Sequence, residues 1–261
     1  MAYAPFDLSG HVALITGGNR GIGLGMARAL AAANANIAVW GRKTEQNEAA
    51  VETLARLGNG TVAAWSVDVS EEEAIVSTME EVLGYFKRID SCFANAGAGF
   101  SAPAFTEMDT ETWHKNLKVN LDGSFWTMRE AAKHMVQRAQ TGDPGGSIVG
   151  IASLAATEGA ARNQAYAASK GGIISLVKGI AVEHARHGIR ANAILPGWIA
   201  TDLTQAAQDS DVFNSKVISR VPARRWGEPA DFGGIAVYLA SSASSYHSGD
   251  LLVVDGAYSI F

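Results

Sequence analysis

The feature that most constrains the fold is a short apolar segment that leads into a glycine-rich turn and then into a helix. Residues 11–16 are mostly apolar, Gly17, Gly21 and Gly23 follow directly, and residues 26–33 contain strong helix formers. A short apolar run bounded by glycine is typical of a buried strand. Strand, turn and helix in this order begin a βαβ unit, in which the next strand lies parallel to the first.

The same alternation continues to the end of the chain. The predicted strands are 11–16, 37–40, 61–67, 91–94, 147–151, 190–195 and 251–254, and the predicted helices are 26–33, 45–57, 71–86, 110–139, 166–187 and 230–240. Because no linker interrupts this order, we expect a single domain over residues 1–261. The expected fold is doubly wound α/β of the Rossmann type, with seven parallel strands and helices on both faces.

Composition and charge argue against several classes of partner. Acidic residues outnumber basic ones, 26 against 21, with no block of Lys and Arg, which disfavours nucleic acid and anionic membranes. No apolar run approaches the roughly 20 residues of a membrane span. The single Cys92 cannot form an internal disulfide and residues 1–10 lack signal-peptide features, so we expect a cytoplasmic protein. The six His residues show no metal-ligand spacing, so no metal is predicted.

The glycine-rich turn is a candidate phosphate site. Its backbone N–H groups and the positive end of the following helix dipole face one point, which suits a pyrophosphate. The glycines let the backbone approach the phosphates, although the spacing G-x-x-x-G-x-G differs from the general dinucleotide fingerprint. The alternative is a turn that only packs the helix on the strand.

The end of the second predicted strand indicates which dinucleotide fits. A carboxylate there would bind the ribose 2′-hydroxyl of NAD(H), but the segment reads Gly41-Arg42-Lys43, without an acid. Arg42, together with Arg20 of the glycine turn, suits a 2′-phosphate held by charge-assisted hydrogen bonds, so NADP(H) is favoured over NAD(H). The alternative is that both arginines are ordinary solvated surface charges.

Polar residues also follow the third and fourth predicted strands. Asp68 is placed to bind an adenine amino group, and Asn95-Ala96-Gly97 offers a second close approach of the backbone. Asp and Asn are also common turn residues for purely local reasons. Their position at strand ends, where ligands bind in open α/β sheets, favours the functional interpretation.

Tyr166 and Lys170 are candidates for acid–base chemistry. Their four-residue spacing places them on one face of the helix predicted over 166–187. Lys170, with any cofactor charge, would lower the pKa of the phenol from about 10, so that Tyr166 exchanges a proton with a carbonyl or hydroxyl group. The alternative is a surface pair in which the lysine extends along its neighbours.

Ser153 and Asn120 complete the candidate site. Ser153 follows the strand predicted over 147–151, so its hydroxyl should emerge beside the nucleotide and hydrogen-bond the substrate oxygen. Asn120 lies inside a predicted helix and could hold a water that links Lys170 to solvent. The alternatives are a capping serine and a core asparagine bonded to its own helix.

Together these motifs resemble the short-chain dehydrogenase/reductase family in its single-domain form, over nearly the whole chain. The resemblance rests on Thr16-Gly-x-x-x-Gly-Ile-Gly23, Asp68, Asn95-Ala-Gly97, Asn120, Ser153, Tyr166-x-x-x-Lys170 and Pro196-Gly197, in the family's order. One departure is Ala94, where the family has asparagine, and it affects no catalytic position. The resemblance implies a homotetramer and a catalytic tetrad of Asn120, Ser153, Tyr166 and Lys170.

The resemblance also implies the cofactor contacts. Lys170 would bind the nicotinamide ribose, the segment after Pro196-Gly197 would contact the carboxamide and phosphates, and Arg20 and Arg42 match positions used by NADP-preferring members. The expected cofactor-binding residues are Gly17, Asn19, Arg20, Gly21, Ile22, Gly23, Gly41, Arg42, Asp68, Val69, Asn95, Ala96, Gly97, Tyr166, Lys170, Pro196, Gly197, Ile199 and Thr201. The expected cofactor is therefore NADP(H), with NAD(H) less favoured.

Residues 201–222 are polar and of mixed pattern, and we predict a mobile substrate flap over about residues 198–222. Trp198, Leu203 and Phe213 in this flap could line an apolar substrate pocket or pack subunits together.

The sequence thus predicts an oxidoreductase that transfers hydride between NADP(H) and a secondary alcohol or ketone, with Tyr166 as acid and base. Within this class, an NAD(H)-dependent or NADP(H)-dependent sugar-acid dehydrogenase and a 3-oxoacyl-carrier reductase stay open, since residues 196–202 look like those of members acting on gluconates. The alternative from another class is an NADP(H)-binding sensor without catalysis. The intact tetrad argues against a sensor.

Overall fold

Seven parallel strands form one sheet within residues 4–261, the part of the chain that the computed structural model describes. The strands are β1 (Val12–Thr16), β2 (Asn36–Gly41), β3 (Val62–Ser66), β4 (Ser91–Ala94), β5 (Gly146–Ile151), β6 (Ile189–Pro196) and β7 (Leu251–Val254). Their spatial order is β3-β2-β1-β4-β5-β6-β7, and every neighbouring pair is parallel. The predicted sheet is confirmed, and residues 1–3 of the expected domain lie outside the described residues.

Helices cover both faces of this sheet. The α-helices are α1 (Gly21–Ala32), α2 (Thr44–Leu54), α3 (Glu72–Phe86), α4 (Thr110–Leu117), α5 (Gly123–Gln140), α6 (Ala155–Glu158), α7 (Gln164–His184), α8 (Gln205–Gln208), α9 (Asp211–Val217) and α10 (Gly233–Ala240). A π-helical turn spans Lys118–Asp122, and 3₁₀ turns span Ala4–Phe6, Phe105–Glu107, Ala185–His187, Asp202–Thr204, Ile218–Arg220, Pro229–Phe232, Ser242–Ser244 and Tyr258–Ile260.

The core consists of two apolar clusters, one on each face of the sheet. In β1, Val12 and Leu14 join the cluster formed with α3, α5 and α7, whereas Ala13 and Ile15 join the one formed with α1 and α10. Successive side chains of a strand point to opposite faces, so a strand covered on both sides must be apolar throughout. This explains why all of β1 is buried and why it reads as a continuous apolar run.

The chain reverses its direction across the sheet between β3 and β4. Strands β2 and β3 lie on one side of β1, and β4 to β7 lie on the other. The segments that follow β1 and β4 therefore diverge and leave a crevice at the carboxyl ends of these strands, which is the usual ligand position in such sheets. The glycine turn after Thr16 and the segment 95–97 border this crevice.

Two predicted segments differ from the structure. Helix α1 begins at Gly21, five residues before the predicted start at residue 26, and includes glycines that a helix usually disfavours. Gly25 is needed there for close packing, because a Cβ on it would lie 2.1 Å from the Pro229 carbonyl oxygen. The helix predicted over 110–139 is divided by the π-helical turn into α4 and α5. The predicted flap over residues 198–222 contains α8, α9 and two short 3₁₀ turns.

Candidate active site

The glycine turn is tied to the segment after β4 by Thr16, the last residue of β1. Its Oγ1 accepts hydrogen bonds from the backbone N–H groups of Asn95 at 3.0 Å and Ala96 at 2.9 Å. Asn95 Nδ2 in turn donates to the Thr16 carbonyl at 2.8 Å. Gly17 has a φ of +65°, and a Cβ on Gly23 would lie 2.2 Å from the Gly17 carbonyl oxygen. A side chain at Gly23 would therefore fill the turn.

Helix α1 begins at this turn without a side-chain cap. Arg20 precedes its first residue, Gly21, and makes no capping hydrogen bond. The first N–H groups of a helix, here those of Gly21, Ile22 and Gly23, have no acceptor inside the helix, and the helix dipole is positive at this end. The start of α1 is thus suited to an anionic group in the crevice.

Asn19 and Gly41, both expected cofactor contacts, pack against a residue that no sequence motif marks. Asn19 Nδ2 donates to Asn47 Oδ1 at 2.7 Å, and Asn47 Nδ2 donates to the carbonyls of Gly41 at 3.0 Å and Trp65 at 3.1 Å. A Cβ on Gly41 would lie 2.1 Å from Asn19 Nδ2. Asn47, which is buried on α2, therefore fixes the glycine turn against the end of β2.

Each arginine expected to hold a 2′-phosphate faces a carboxylate. Arg20 Nη1 lies 3.1 Å from Asp202 Oδ2, and Arg42 Nη1 lies 3.9 Å from Asp68 Oδ2. The arginine side chains are 50% and 64% exposed. Exposed ion pairs contribute little to stability, so both guanidinium groups are free to take a stronger anionic partner.

Asp68 and Val69 lie directly after β3, as predicted. Asp68 Oδ1 accepts hydrogen bonds from the Ser70 N–H at 3.0 Å and its hydroxyl at 2.8 Å. Burial raises the pKa of Asp68, but the Ser70 hydrogen bonds and nearby cations outweigh it and lower the pKa overall. The Val69 carbonyl packs closely on Gly123, where a Cβ would lie 2.5 Å away. The contact of Asp68 with an adenine stays a prediction.

Asn120 lies in the π-helical turn and is fully buried. Its Oδ1 accepts from the Ala98 N–H and its Nδ2 donates to the Ala98 carbonyl, both at 2.9 Å. The amide therefore holds the segment after β4, which its place in a predicted helix did not indicate. A Cβ on Gly97 would lie 3.1 Å from Asn120 Oδ1 and 3.4 Å from Lys170 Nζ, so these residues meet at one point. The water between Asn120 and Lys170 stays a prediction.

Tyr166 and Lys170 lie one turn apart on α7, and Lys170 Nζ is 5.7 Å from the centre of the Tyr166 ring. Ser153, which follows β5, shares a hydrogen bond with the Tyr166 hydroxyl, and its Oγ accepts from the Ala155 N–H at 3.2 Å. Lys170 is only 3% exposed, and its Nζ donates to the Ile151 carbonyl at 2.8 Å. A hydroxyl, a phenol and an ammonium group thus come together at the carboxyl end of β5.

Among the protein groups alone, the pKa of Tyr166 is raised rather than lowered. Burial raises the pKa of the phenol, and the hydrogen bond with Ser153 offsets this only in part. Burial also lowers the pKa of Lys170 to about 8. The predicted lowering of the Tyr166 pKa by Lys170 does not occur among the protein groups alone, because a poorly solvated environment disfavours both charges.

The expected cofactor contacts that follow β6 have different surroundings. Pro196 ends the strand, and a Cβ on Gly197 would lie 2.6 Å from Asp255 Cβ, so close packing requires glycine there. Ile199 is 4% exposed within the apolar cluster of α1 and α10, so its side chain belongs to the core and only its backbone is available to a ligand. Thr201 caps the short turn that follows it.

An aromatic cluster, which we define as Trp198, Phe213, Trp226 and Tyr258, joins the flap to residues that follow it in the chain. The Trp198 and Phe213 ring centres are 4.9 Å apart, Trp226 stacks on Phe213 at 6.0 Å, and Tyr258 lies 6.5 Å from Trp198. Leu203 is 57% exposed. Of the three apolar flap residues noted in the sequence, two therefore pack on each other and the third faces solvent.

We also considered metal sites, membrane-spanning helices and a reactive cysteine in the part of the chain that the structure describes. Within residues 4–261, no group of three or more His, Cys, Asp and Glu side chains is arranged to hold a metal ion. None of the helices in this range is both long enough and apolar enough to cross a membrane. Cys92 is buried, which raises the pKa of its thiol to about 12, so it stays protonated at neutral pH.

Comparisons with known proteins agree on one family. A family model described as enoyl-(acyl carrier protein) reductase matches residues 17–259. A 2-dehydro-3-deoxy-D-gluconate 5-dehydrogenase of Pseudoalteromonas atlantica is 39% identical over 253 residues, which is 97% of either chain. A 3-oxoacyl-acyl-carrier-protein reductase of Chlamydia pneumoniae is 34% identical over 95% of this chain and 97% of its own.

A solved structure agrees with these relatives. The gluconate 5-dehydrogenase of Burkholderia cenocepacia, in complex with NADP and tartrate, superimposes with a TM-score of 0.90 at 35% identity, covering 98% of this chain and 99% of that one. The similarity thus extends from the sheet order to nearly the whole sequence, and the relatives are dehydrogenases and reductases. The chain belongs to the short-chain dehydrogenase/reductase family of oxidoreductases.

Proposed function

We propose that this oxidoreductase transfers hydride between NADP(H) and a substrate that carries a secondary alcohol or a ketone. The observation that carries the proposal is the meeting of Ser153, Tyr166 and Lys170 at the sheet edge that also bears the glycine turn. A hydroxyl and a phenol in contact can bind and protonate one oxygen atom. The crevice at the same edge is the expected place for the dinucleotide.

The residues around the crevice fit a dinucleotide. The glycine turn presents bare backbone where a Cβ on Gly23 would collide with Gly17, and α1 begins there uncapped. Lys170 is a buried ammonium with three donors, and the carbonyl of Ile151 is the one acceptor it has among the described residues. We expect its remaining donors to bind the nicotinamide ribose and the glycine turn to bind the pyrophosphate.

Arg20 and Arg42 favour NADP(H) over NAD(H). Gly41 and Arg42 occupy the end of β2, where an NAD-binding protein would carry a carboxylate for the 2′-hydroxyl. Both guanidinium groups are exposed and are suited to bidentate contact with a phosphate. The related gluconate 5-dehydrogenase with NADP bound supports the same choice.

The tetrad residues then position the substrate oxygen and transfer the proton. NADPH, when bound, supplies the hydride to the carbonyl carbon. Tyr166, whose raised pKa keeps the phenol protonated at neutral pH, donates its proton to the carbonyl oxygen, and the Ser153 hydroxyl holds that oxygen. In the oxidation direction the phenolate must accept a hydroxyl proton, so that direction gains from high pH. Asn120 would hold the water through which the proton returns from solvent.

Ketones of sugar acids are the best-supported substrates. The relatives from Pseudoalteromonas atlantica and Burkholderia cenocepacia are named for gluconates. The relative from Chlamydia pneumoniae favours 3-oxoacyl thioesters as the second candidate. A substrate panel therefore contains 5-keto-D-gluconate, other keto sugar acids and a 3-oxoacyl thioester.

The deciding experiment follows NADPH oxidation with this panel for the wild type and Tyr166→Phe. We expect turnover of a sugar-acid ketone by the wild type and a kcat lower by about 10³-fold in the variant, because the proton donor is lost. NADPH binding, measured by its fluorescence, should persist. Tyr238→Phe is the matched control, because its hydroxyl contacts His247 at 3.1 Å and not the tetrad.

Two outcomes would contradict the proposal. Full activity of Tyr166→Phe would remove this residue from its role, and NADPH binding by the wild type without turnover of any ketone would favour the sensor. The homotetramer, the cytoplasmic location and the motion of the flap stay predictions.

A further inference from the structure

An ion pair joins the glycine turn to the substrate flap. Arg20, just before α1, places Nη1 3.1 Å from Oδ2 of Asp202 in the flap. Next to this pair, the side chain of Thr201 lies 3.4 Å from the position that a Cβ on Gly21 would take. Of the ion pairs among residues 4–261, this one alone involves the flap.

The Asp202 carboxylate is not needed for the local structure of the flap. Asp202 begins the 3₁₀ turn Asp202–Thr204, which is capped reciprocally by Thr201 and Thr204. The Asp202 side chain is 73% exposed, and Arg20 is its one hydrogen-bond partner among the described residues. The carboxylate therefore acts on Arg20 rather than on its own turn.

Arg20 thus has two possible anionic partners. The carboxylate of Asp202 binds it through one exposed contact, whereas a 2′-phosphate offers more charge and a bidentate geometry. Arg42 differs, because its carboxylate neighbour is farther away, at 3.9 Å, and is held by Ser70. Competition for a guanidinium group is therefore expected at Arg20.

We propose that the Asp202 carboxylate and the 2′-phosphate of NADP(H) compete for Arg20. Asp202 thereby lowers the preference for NADP(H) over NAD(H), and binding of the phosphorylated cofactor releases the flap from the glycine turn. The inference rests on the proposed function, since it takes Arg20 as a phosphate ligand. Asp202 thus has a role in cofactor specificity, although it lies in the predicted substrate flap.

The first test measures the Kd of NADPH and of NADH by fluorescence titration of the intact protein. Asp202→Asn should bind NADPH about two- to fivefold more tightly than the wild type, the range expected for an exposed ion pair, with the Kd of NADH unchanged. This gain in affinity for NADPH should be smaller at high salt, because salt screens exposed charges. Asp211→Asn removes the same charge from another exposed flap position and should alter neither Kd.

A double-mutant cycle separates competition for Arg20 from general charge repulsion. In the Arg20→Met background, Asp202→Asn should no longer change the Kd of NADPH. Limited trypsin cleavage at Lys216 and Arg220 reports on the flap itself. In the wild type, NADPH should speed this cleavage relative to NADH, and in Asp202→Asn the two cofactors should give equal rates.

The outcomes distinguish this inference from the function on which it rests. If the wild type binds NADPH and NADH equally, the arginine clamp and the competition both fail. If the wild type prefers NADPH but Asp202→Asn leaves or weakens that preference, the clamp stands and the competition is wrong. The competition would also be wrong if Asp202→Asn tightened NADPH binding equally in the Arg20→Met background, because the carboxylate would then act on the phosphate directly.

Discussion

The nucleotide side of the cleft and the flap beside it are held by different kinds of contact. On the nucleotide side, the Thr16 side chain accepts hydrogen bonds from two backbone N–H groups of the segment after β4, Asn95 Nδ2 donates back to the Thr16 carbonyl, and β1 beneath them is buried. In the flap, α8 and α9 have four and seven residues, and Leu203 and Val212 are 57% and 63% exposed. The first region is cross-linked by hydrogen bonds above a buried strand, whereas the second is joined to Gly227 by backbone hydrogen bonds at its start and continues as short helices with exposed apolar residues.

This difference matches the two separate tasks that we propose for these regions. A proton donor and a hydride carrier require fixed relative positions, which buried strands and tied segments provide. A segment that covers the substrate must open in each catalytic cycle, so it belongs to the less stable parts of a fold. The aromatic cluster gives the flap one firm attachment, and the pair of Arg20 with Asp202 gives it a weak one. Substitutions on the two sides should therefore have unequal effects.

The largest effect on cofactor binding is expected from adding one methyl group to the glycine turn. In Gly23→Ala, the new Cβ would lie 2.2 Å from the Gly17 carbonyl oxygen and 2.5 Å from Asn95 Nδ2, so the backbone must shift. We expect the free energy of unfolding to fall by about 3 kcal/mol. The Kd of NADPH should rise about a hundredfold, because the shifted backbone is the proposed phosphate site. Denaturant unfolding and fluorescence titration measure the two quantities.

The matched control is Gly179→Ala on α7. No atom lies within 4 Å of a Cβ at this position, and alanine is the better helix former by about 1 kcal/mol. This variant should be at least as stable as the wild type and should bind NADPH normally. If Gly23→Ala also bound NADPH normally, the turn would not be the phosphate site.

A second prediction concerns the pH dependence of stability caused by Lys170. Its pKa is about 8 in the folded protein and about 10.5 when unfolded, so between these values the unfolded chain binds more protons. The free energy of unfolding of the wild type should therefore rise with pH from about 8 to about 10.5, by at most ~1.4 kcal/mol per pH unit. Lys170→Met should lack this rise.

Urea unfolding of both proteins across this pH range checks the sign. The difference between them isolates Lys170 from other groups that titrate at high pH. Lys178→Met removes an exposed lysine from the same helix and should keep the wild-type slope. Parallel curves for Lys170→Met and the wild type would mean that the Lys170 ammonium is better solvated than its burial implies.

The sequence sufficed for those parts of the fold that depend on local patterns. Buried strands such as β1 are continuous apolar runs that end at glycine, and Tyr166 and Lys170 share a helix face through their spacing alone. Ser153 reaches the same place because it follows a neighbouring parallel strand. These inferences needed only periodicity and the rule that the carboxyl ends of parallel strands meet at one edge.

Contacts between segments that are distant in the sequence could not be predicted from local patterns. Asn120 is held by Ala98 and Asn19 by Asn47, and no local pattern specifies either partner. The direction of the Tyr166 pKa also depends on burial, which the spacing to Lys170 does not report. The π-helical turn that carries Asn120 has no composition signal, because it differs from an α-helix only in which carbonyl each N–H selects.

The smallest effect is expected from Phe213→Ala in the aromatic cluster. Phe213 pairs with Trp198 and Trp226, and such ring contacts contribute about 0.5–1.5 kcal/mol each beyond the area they bury. If the flap opens without unfolding the sheet, as we predict, most of this loss should appear as local opening, with the global free energy of unfolding lowered by less than about 1 kcal/mol. Trypsin cleavage at Lys216 should accelerate, and denaturant unfolding should change little.

Phe93→Ala makes the same truncation on the nucleotide side, in β4. Phe93 is fully buried, so its removal should lower the global free energy of unfolding by about 3–5 kcal/mol. It should also leave trypsin cleavage of the flap unchanged under native conditions. Equal global losses for the two phenylalanine variants would show that the flap unfolds together with the sheet, and the flap would then need another route to admit substrate.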